Sequence, residues 1–265
     1  MDVTVKNYHA EGTRMSKSLQ GKVALVTGGS RGLGAATAQS LADAGADVAI
    51  TYASSADKAA EVVKELEEKG VQAAAFQADQ ADVTLAPRLV DDVVARFGGL
   101  DIVVNNAAIG VESGKTIDDP SIDTAELDRM HATNYTGVIA LIRAAAKVLR
   151  DNGRIVNIGS GIGSRVGHPG FADYAATKAG LLGYTKGAAR DLARRGITVN
   201  MVQAGLMQTQ MEPPSPEALK VMVSALAIPR VSDPAETAPV IAFLASPAAS
   251  YITGAVIDSN GGYTA

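Results

Sequence analysis

Tyr174 and Lys178 stand four residues apart in the run Tyr174-Ala175-Ala176-Thr177-Lys178. On a helix that spacing stacks the two side chains on one face, a turn apart. The flanking Ala175, Ala176, Ala179, Gly180, Leu181 and Leu182 predict such a helix, with a small-residue surface that another element can approach closely. A free tyrosine titrates near ~10 and is a poor acid–base group at neutral pH. A neighbouring ammonium favours the phenolate, which makes the hydroxyl usable for moving a proton. A solvated helix face can carry the same pair with no chemistry attached, so the reading rests on what other segments bring to it.

The first of these segments is a turn suited to phosphate. A strand-like run over 22–27 enters Thr27-Gly28-Gly29-Ser30-Arg31-Gly32-Leu33-Gly34 without a gap, and a helix follows over 35–44. Strand, glycine-rich turn and helix together present backbone N–H groups and the positive end of a helix to a pyrophosphate. The glycines at 28, 32 and 34 are spaced G-x3-G-x-G rather than G-x-G-x-x-G. Gly28 permits the turn, Gly32 leaves out a Cβ where a cofactor approaches, and Gly34 lets the helix sit close. A plain strand-to-helix turn is the alternative.

A second strand over 47–52 ends in Tyr52, Ala53, Ser54 and Ser55, where an acidic residue would hydrogen-bond the adenosine ribose of NAD. Arg31 in the turn suits a 2′-phosphate, which a carboxylate would repel, so NADPH is expected over NADH. Arg31 as a merely exposed cation is the other option. Asp79 follows the third strand (71–76) and is either an acceptor for the adenine amino group or an acidic loop residue without ligand duty.

The fourth strand, 100–104, runs into Asn105-Asn106-Ala107-Ala108, whose amides can tie neighbouring backbone together while the alanines leave room for a flat ligand. Residues 109–125 read as a surface loop. Residues 126–149 read as a long helix in two parts, with Asn134 and Gly137 out of place in an apolar stretch. A cost in helix propensity there suggests a purpose. The fifth strand, 153–158, ends in Gly159-Ser160-Gly161, and the Tyr174 helix continues to about 194. The sixth strand covers 197–202. Residues 203–230, with Met207, Met211, Met222 and several leucines, read as a mobile flap with an apolar inner side. A last helix over 233–244 and a seventh strand over 255–258 complete the chain. Strands and helices alternate with no linker between them. The expected fold is therefore α/β: a three-layer sandwich with a seven-stranded, mostly parallel sheet and helices on both faces. Residues 21–265 form one dinucleotide-binding catalytic domain in this reading, and 1–20 an N-terminal extension.

Composition removes other classes. The chain has no cysteine, so disulfides and thiolate chemistry are excluded, and His9, His131 and His168 have no metal-ligand spacing. A net charge of -4 without a basic run argues against a nucleic-acid surface. No apolar stretch reaches the ~20 residues of a membrane span, and the first residues lack a signal core. A soluble cytoplasmic protein is expected.

With Thr27-Gly28-x3-Gly32-x-Gly34, Asn105-Asn106-Ala107, Asn134, Ser160 and Tyr174-x3-Lys178 in this order, the chain resembles the short-chain dehydrogenase/reductase family over roughly 20–262. Its broad wording is similar to 3-oxoacyl-(acyl carrier protein) reductases and small ketone reductases. The resemblance implies a Rossmann-type fold and an Asn134–Ser160–Tyr174–Lys178 tetrad. In it, Tyr174 donates its proton to the substrate oxygen as hydride reaches the carbonyl carbon, and Ser160 orients the carbonyl. Lys178 holds the nicotinamide ribose and favours the tyrosinate, and Asn134 positions a water that passes protons to Lys178. Cofactor contacts are expected from Gly28, Ser30, Arg31, Gly32, Leu33, Gly34, Tyr52, Ala53, Ser54, Asp79, Asn106, Ala107, Tyr174, Lys178, Gly205 and Thr209, with Thr209 near the carboxamide.

Four departures from the family pattern remove no reacting group. Ser160 precedes Tyr174 by 14 residues, one more than is common, and is taken in preference to Ser164. Ala204-Gly205 replaces Pro-Gly, Ala108 replaces a glycine, and Gln80 replaces a valine after Asp79. Enoyl reductases resemble Tyr-x6-Lys, but position 181 is Leu181; halohydrin dehalogenases lack the glycine turn and carry Arg where Lys178 stands. A non-catalytic dinucleotide-binding sensor or scaffold would be expected to lose one of Ser160, Tyr174 and Lys178. The expected activity is NADPH-dependent interconversion of a ketone and a secondary alcohol, with a 3-oxoacyl-(acyl carrier protein) as the alternative substrate.

The candidate substrate residues are Ile109, Val111, Ile162, Val166, His168, Phe171, Leu206 and Met207, an apolar set that suits a small neutral ketone. His168 either touches substrate or makes structural contacts only. A carrier-bound substrate needs a basic mouth, for which Arg129, Arg165 and Lys220 are available. The family resemblance also implies a homotetramer, and the small-residue faces at 144–149 and 183–190 agree with it.

Overall fold

In the core strands, neighbouring side chains turn to opposite sides. Ala24 and Val26 join one buried cluster while Val23 and Leu25 join another, and Ile102 and Val104 separate from Val103 in the same way. Strands buried on both faces need helices on both, and the period-two partition follows. The computed structural model describes residues 17–110, 115–209 and 215–265. Among these, seven strands make one sheet: β1 (Val23–Val26), β2 (Asp47–Tyr52), β3 (Ala73–Gln77), β4 (Ile102–Asn105), β5 (Arg154–Ser160), β6 (Thr198–Ala204) and β7 (Val256–Ser259). Their order is β3-β2-β1-β4-β5-β6-β7, and every pair is parallel.

One face is covered by α1 (Gly32–Asp43), α2 (Ala56–Glu68) and α8 (Pro234–Ala245), through residues such as Leu41, Leu66 and Ile241. The other is covered by α3 (Leu85–Phe97), α5 (Gly137–Val148) and α6 (Ala172–Leu192), through Val93, Ile142 and Leu181. Chain order reverses between β1 and β4, the place where an open parallel sheet leaves a crevice beyond its carboxyl ends. Beneath the sheet, buried Asp101 accepts from Val23 N–H and pairs with Lys22 at 3.2 Å and Arg150 at 2.8 Å, tying β1 to β4.

Several boundaries differ from the sequence reading. The residues expected in one interrupted helix form α4 (Thr124–His131), a π-turn over Ala132–Thr136, and α5. The widening has one cause within the segment and one distant in sequence. Thr136 Oγ1 donates back to the His131 and Ala132 carbonyls, and the Gln80 carbonyl occupies the space a Cβ at Gly137 would fill. Gln203 and Ala204, expected in the flap, belong to β6, and the flap contains a helix, α7 (Pro216–Ser224), capped by Ser215. Its base is pinned where Gln208 N–H donates to Ser232 O and Ser232 N–H to Leu206 O. Met211 and Val111 lie outside the described residues. So does most of the 1–20 extension; of its described part, Leu19 is 1% exposed and packs in the core against α1. Among the described residues no helix is long and apolar enough to cross a membrane.

Of the small-residue faces, Ala144, Ala145 and Leu149 are spent in the chain's own core, whereas Gly183 and Gly187 face open space.

Candidate active site

A cleft of about 1000 Å³ runs across the carboxyl ends of the strands at the switch point. Its lining holds Gly28, Ser30, Arg31, Gly32, Leu33, Gly34, Tyr52, Ala53, Ser54, Asp79, Asn106, Ala107, Ser160, Tyr174, Lys178, Gly205 and Thr209. Asn134 is the member of the expected set that the lining leaves out.

At one end the glycine turn makes a cradle. Gly28 and Gly32 hold φ of +64° and +53°, which side chains disfavour, and among the described residues only the Thr209 side chain comes near a Cβ built on Gly32. Gly34 serves packing: a Cβ there would run into the Gly28 carbonyl and lie 2.5 Å from Asn106 Nδ2. Arg31 stands at the N-cap of α1, and because a guanidinium has no acceptor for the first-turn amides, that helix end is suited to an anion. Two clamps hold the turn. Gly28 N–H donates to Thr51 Oγ1 at 3.1 Å, and Asn106 Nδ2 donates to the Thr27 and Gly28 carbonyls. Thr27 Oγ1 accepts from the Asn106 and Ala107 amides, both at 3.0 Å. Tyr52, Ala53, Ser54 and Ser55 close this end with hydroxyls and no carboxylate. The donor set, the positive helix end and the Cβ-free surface fit a nucleotide diphosphate with a further phosphate beside Arg31.

Asp79 lines the cleft with both oxygens engaged: one accepts from Ala81 N–H, and the other meets Arg129 at 3.0 Å. The Ala81 amide, then Arg129, hold its carboxyl below the ordinary range, against the opposing effect of burial. Gln80 adds a feature the sequence reading noted only as a departure. Its Nε2 donates to Ala107 O at 2.9 Å and Thr133 O at 2.8 Å, stitching the loop after β4 to the π-turn. Asn134, 1% exposed, completes the stitch by accepting from Ile109 N–H and donating to Ile109 O. Its amide therefore shapes the cleft floor from behind.

At the other end stand Ser160, Tyr174 and Lys178. Ser160 ends β5 and Tyr174 lies in the first turn of α6, so a strand end and a helix start bring the two hydroxyls to the same wall of the cleft, where Ser160 Oγ accepts from Ile162 N–H at 3.3 Å. Lys178 is 4% exposed, donates to Ile158 O at 3.1 Å, and lies 5.6 Å from the Tyr174 ring centroid. Gly163 lets the loop press on the lysine, since a Cβ there would be 2.9 Å from Lys178 Cβ. Loss of hydration pushes the Tyr174 hydroxyl up to about 12, with the polar Ser160 side chain opposing, and brings Lys178 down to about 8. The ammonium was expected to lower the tyrosine; in the chain alone, desolvation sets the direction and the value rises. At neutral pH both groups hold their protons, a state suited to giving one away.

Ile109, Ile162, Val166, His168, Phe171, Leu206 and Met207 line the remaining wall, joined by Met222, Leu226 and, unforeseen, Tyr263. Among the described residues, buried His168 Nε2 has no hydrogen-bond partner. Arg165 donates to Tyr263 O at 2.7 Å. No cluster of metal-ligating side chains occurs among the described residues.

Comparison with known proteins agrees with this arrangement. Residues 28–264 match the family model described as enoyl-(acyl carrier protein) reductase. The chain is 44% identical over 244 residues to the 3-oxoacyl-(acyl carrier protein) reductase FabG of Staphylococcus aureus, covering 91% of this chain and 97% of that protein. The 3-oxoacyl-(acyl carrier protein) reductase of Synechocystis is 38% identical over 253 residues, 92% of this chain and 98% of its own. Among solved structures, a short-chain dehydrogenase from Burkholderia cenocepacia in complex with NADP superposes with a TM-score of 0.89 at 44% identity, covering 94% of this chain and 100% of that one. A blue fluorescent protein from a metagenomic library in complex with NADPH gives 0.88 at 41% identity, over 94% and 100%.

Proposed function

Because the chain belongs to the short-chain dehydrogenase/reductase family, we propose that it is an NADPH-dependent reductase of small neutral ketones, run in reverse as an oxidant of secondary alcohols. The observation that carries this reading is that Ser160, Tyr174 and buried Lys178 line the same cleft as the phosphate cradle, with Lys178 Nζ 5.6 Å from the Tyr174 ring centroid. NADPH, when bound, supplies hydride to the carbonyl carbon. The chain supplies the rest. Ser160 and Tyr174 hydroxyls converge on the substrate oxygen, fix it, and stabilise the negative charge it gains. Tyr174 gives up its proton to that oxygen. Lys178, held by the Ile158 carbonyl, presents a positive charge that stabilises the tyrosinate left behind. Arg31, Ser54 and Tyr52 hold the 2′-phosphate, the glycine turn and the α1 terminus the diphosphate, and Ala107, Gly205 and Thr209 the nicotinamide half. Asn134 and Gln80 position the floor beneath it.

Among the described residues the apolar wall carries no cation aimed at a carboxylate, which favours a neutral substrate. Leu181 is 1% exposed in the core, so the lysine position of the enoyl-reductase pattern is a packing residue here. A second reading, reduction of a 3-oxoacyl thioester on a carrier protein, is supported by the 44% identity to the staphylococcal enzyme. Against it, two of the basic side chains at the mouth are already engaged, Arg129 with Asp79 and Arg165 with Tyr263 O. A homotetramer in the cytoplasm belongs to this reading, with the open Gly183–Gly187 face of α6 as a contact, and residues 21–265 act as one catalytic unit.

The test is to follow loss of NADPH absorbance with a panel of small ketones and with a 3-oxoacyl carrier thioester. Faster turnover of a free ketone supports the first reading, and a decisive preference for the carrier thioester supports the second. A Tyr174→Phe variant that turns over at the wild-type rate removes both.

A further inference from the structure

The tail beyond β7 folds back on itself. Asn260, 4% exposed, accepts from the Gly262 and Tyr263 amides at 3.1 and 3.2 Å, and its Nδ2 donates to Thr264 Oγ1. Thr264 Oγ1 in turn donates to Asp258 on the last strand. This hook delivers Tyr263 to the substrate-facing loop over 161–171. There its hydroxyl accepts from Gly167 N–H at 2.9 Å, its carbonyl accepts from Arg165 at 2.7 Å, and the Arg165 guanidinium lies 5.5 Å from its ring centroid. The loop is shaped for the approach. A Cβ on Gly161 would come within 2.9 Å of Tyr263 Cδ1, and one on Gly167 within 2.8 Å of its hydroxyl. Within 166–170 the Gly167 amide takes its partner from Tyr263, and a single turn at Pro169–Gly170 is the segment's own tie.

That loop carries Ile162, Val166, His168 and Phe171 on the cleft, and Tyr263 lies on the cleft beside them. A loop with so few bonds of its own takes its position from what it leans on. We propose that Tyr263 is a positioning and specificity-determining residue for the ketone: its hydroxyl holds the 161–171 loop over the substrate, and its ring forms part of the wall. The proposal rests on the reductase reading of the same cleft. It sets Tyr263, on the substrate wall, apart from the glycine turn that forms the cofactor cradle.

Tyr263→Phe keeps the ring and deletes the hydroxyl. Losing one such bond raises the ketone KM about 3- to 10-fold, leaves kcat within about twofold, and leaves the Kd for NADPH, read by its fluorescence, unchanged. Amide hydrogen exchange in the 161–171 peptide speeds up in the same variant. An unchanged ketone KM overturns the proposal, whether or not exchange rises, and so does a parallel rise in the NADPH Kd. A wild-type protein that reduces no ketone instead overturns the reductase reading, and exchange and NADPH binding then decide whether Tyr263 holds the loop.

Discussion

Replacing Lys178 by methionine should make the nucleotide-free protein more stable at neutral pH while abolishing turnover. The ammonium is 4% exposed, and loss of hydration brings its pKa from 10.5 to about 8. A depressed folded-state pKa means the folded form disfavours the proton that the unfolded chain keeps. Folding therefore carries a cost that is fully present below about 8 and fades as pH rises from about 8 towards the unfolded value. The 2.5-unit difference between those values corresponds to about 3 kcal/mol at pH 7 and about 1 kcal/mol at pH 10. Methionine fills a similar volume without a charge but forfeits the hydrogen bond to Ile158 O, worth about 1 kcal/mol. The net expectation is a gain of about 2 kcal/mol at pH 7 that vanishes near pH 10. Tyr174, raised to about 12, titrates in both proteins and cancels in the difference. Urea unfolding of both proteins at the two pH values, without nucleotide, measures it. A variant less stable than wild type at pH 7, or a gap that does not shrink with pH, would refute the claim that desolvation governs this lysine.

Tyr174→Phe should lower kcat by about 10²- to 10⁴-fold with NADPH binding retained, because it removes the proton donor and nothing from the cradle; steady-state kinetics and fluorescence titration separate the two effects. Arg31→Ala should cut the preference for NADPH over NADH about 10- to 100-fold, the worth of a charged hydrogen bond, seen as a ratio of kcat/KM values. In Gly34→Ala the new methyl meets the Gly28 carbonyl and Asn106, so NADPH affinity should fall more than about tenfold along with a lower Tm. Asp101→Ala strands the Val23 amide and the partners of a buried carboxylate, and should cost about 3 kcal/mol in urea unfolding.

Local pattern alone carried much of this protein. The glycines at 28, 32 and 34 needed no tertiary information, because a positive φ and a missing Cβ are requirements of the turn itself. The β2 strand over 47–52 and the α3 helix over 85–97 were legible to their ends, since their apolar periods and end signals sit within the segment. The absence of a carboxylate after Tyr52 spoke for NADPH in the same local way. Asn134 and Gly137 announced that something interrupts a helix; the nature of the interruption lay in Gln80, more than fifty residues away, whose carbonyl occupies the space a Cβ at Gly137 would fill. The α7 helix stayed hidden inside a proline-flanked stretch that read as flap. Tyr263 gave no signal, because a tyrosine near a terminus acquires meaning only from the loop it meets. The tyrosine–lysine pair shows the division most clearly. Its spacing on the helix was written in the chain, but the direction of the Tyr174 shift was not: desolvation sums over every neighbour that excludes water, and those neighbours come from segments distant in sequence. What depends on adjacent residues was determined by the sequence alone; what depends on which distant atoms share a volume was decided by the tertiary structure.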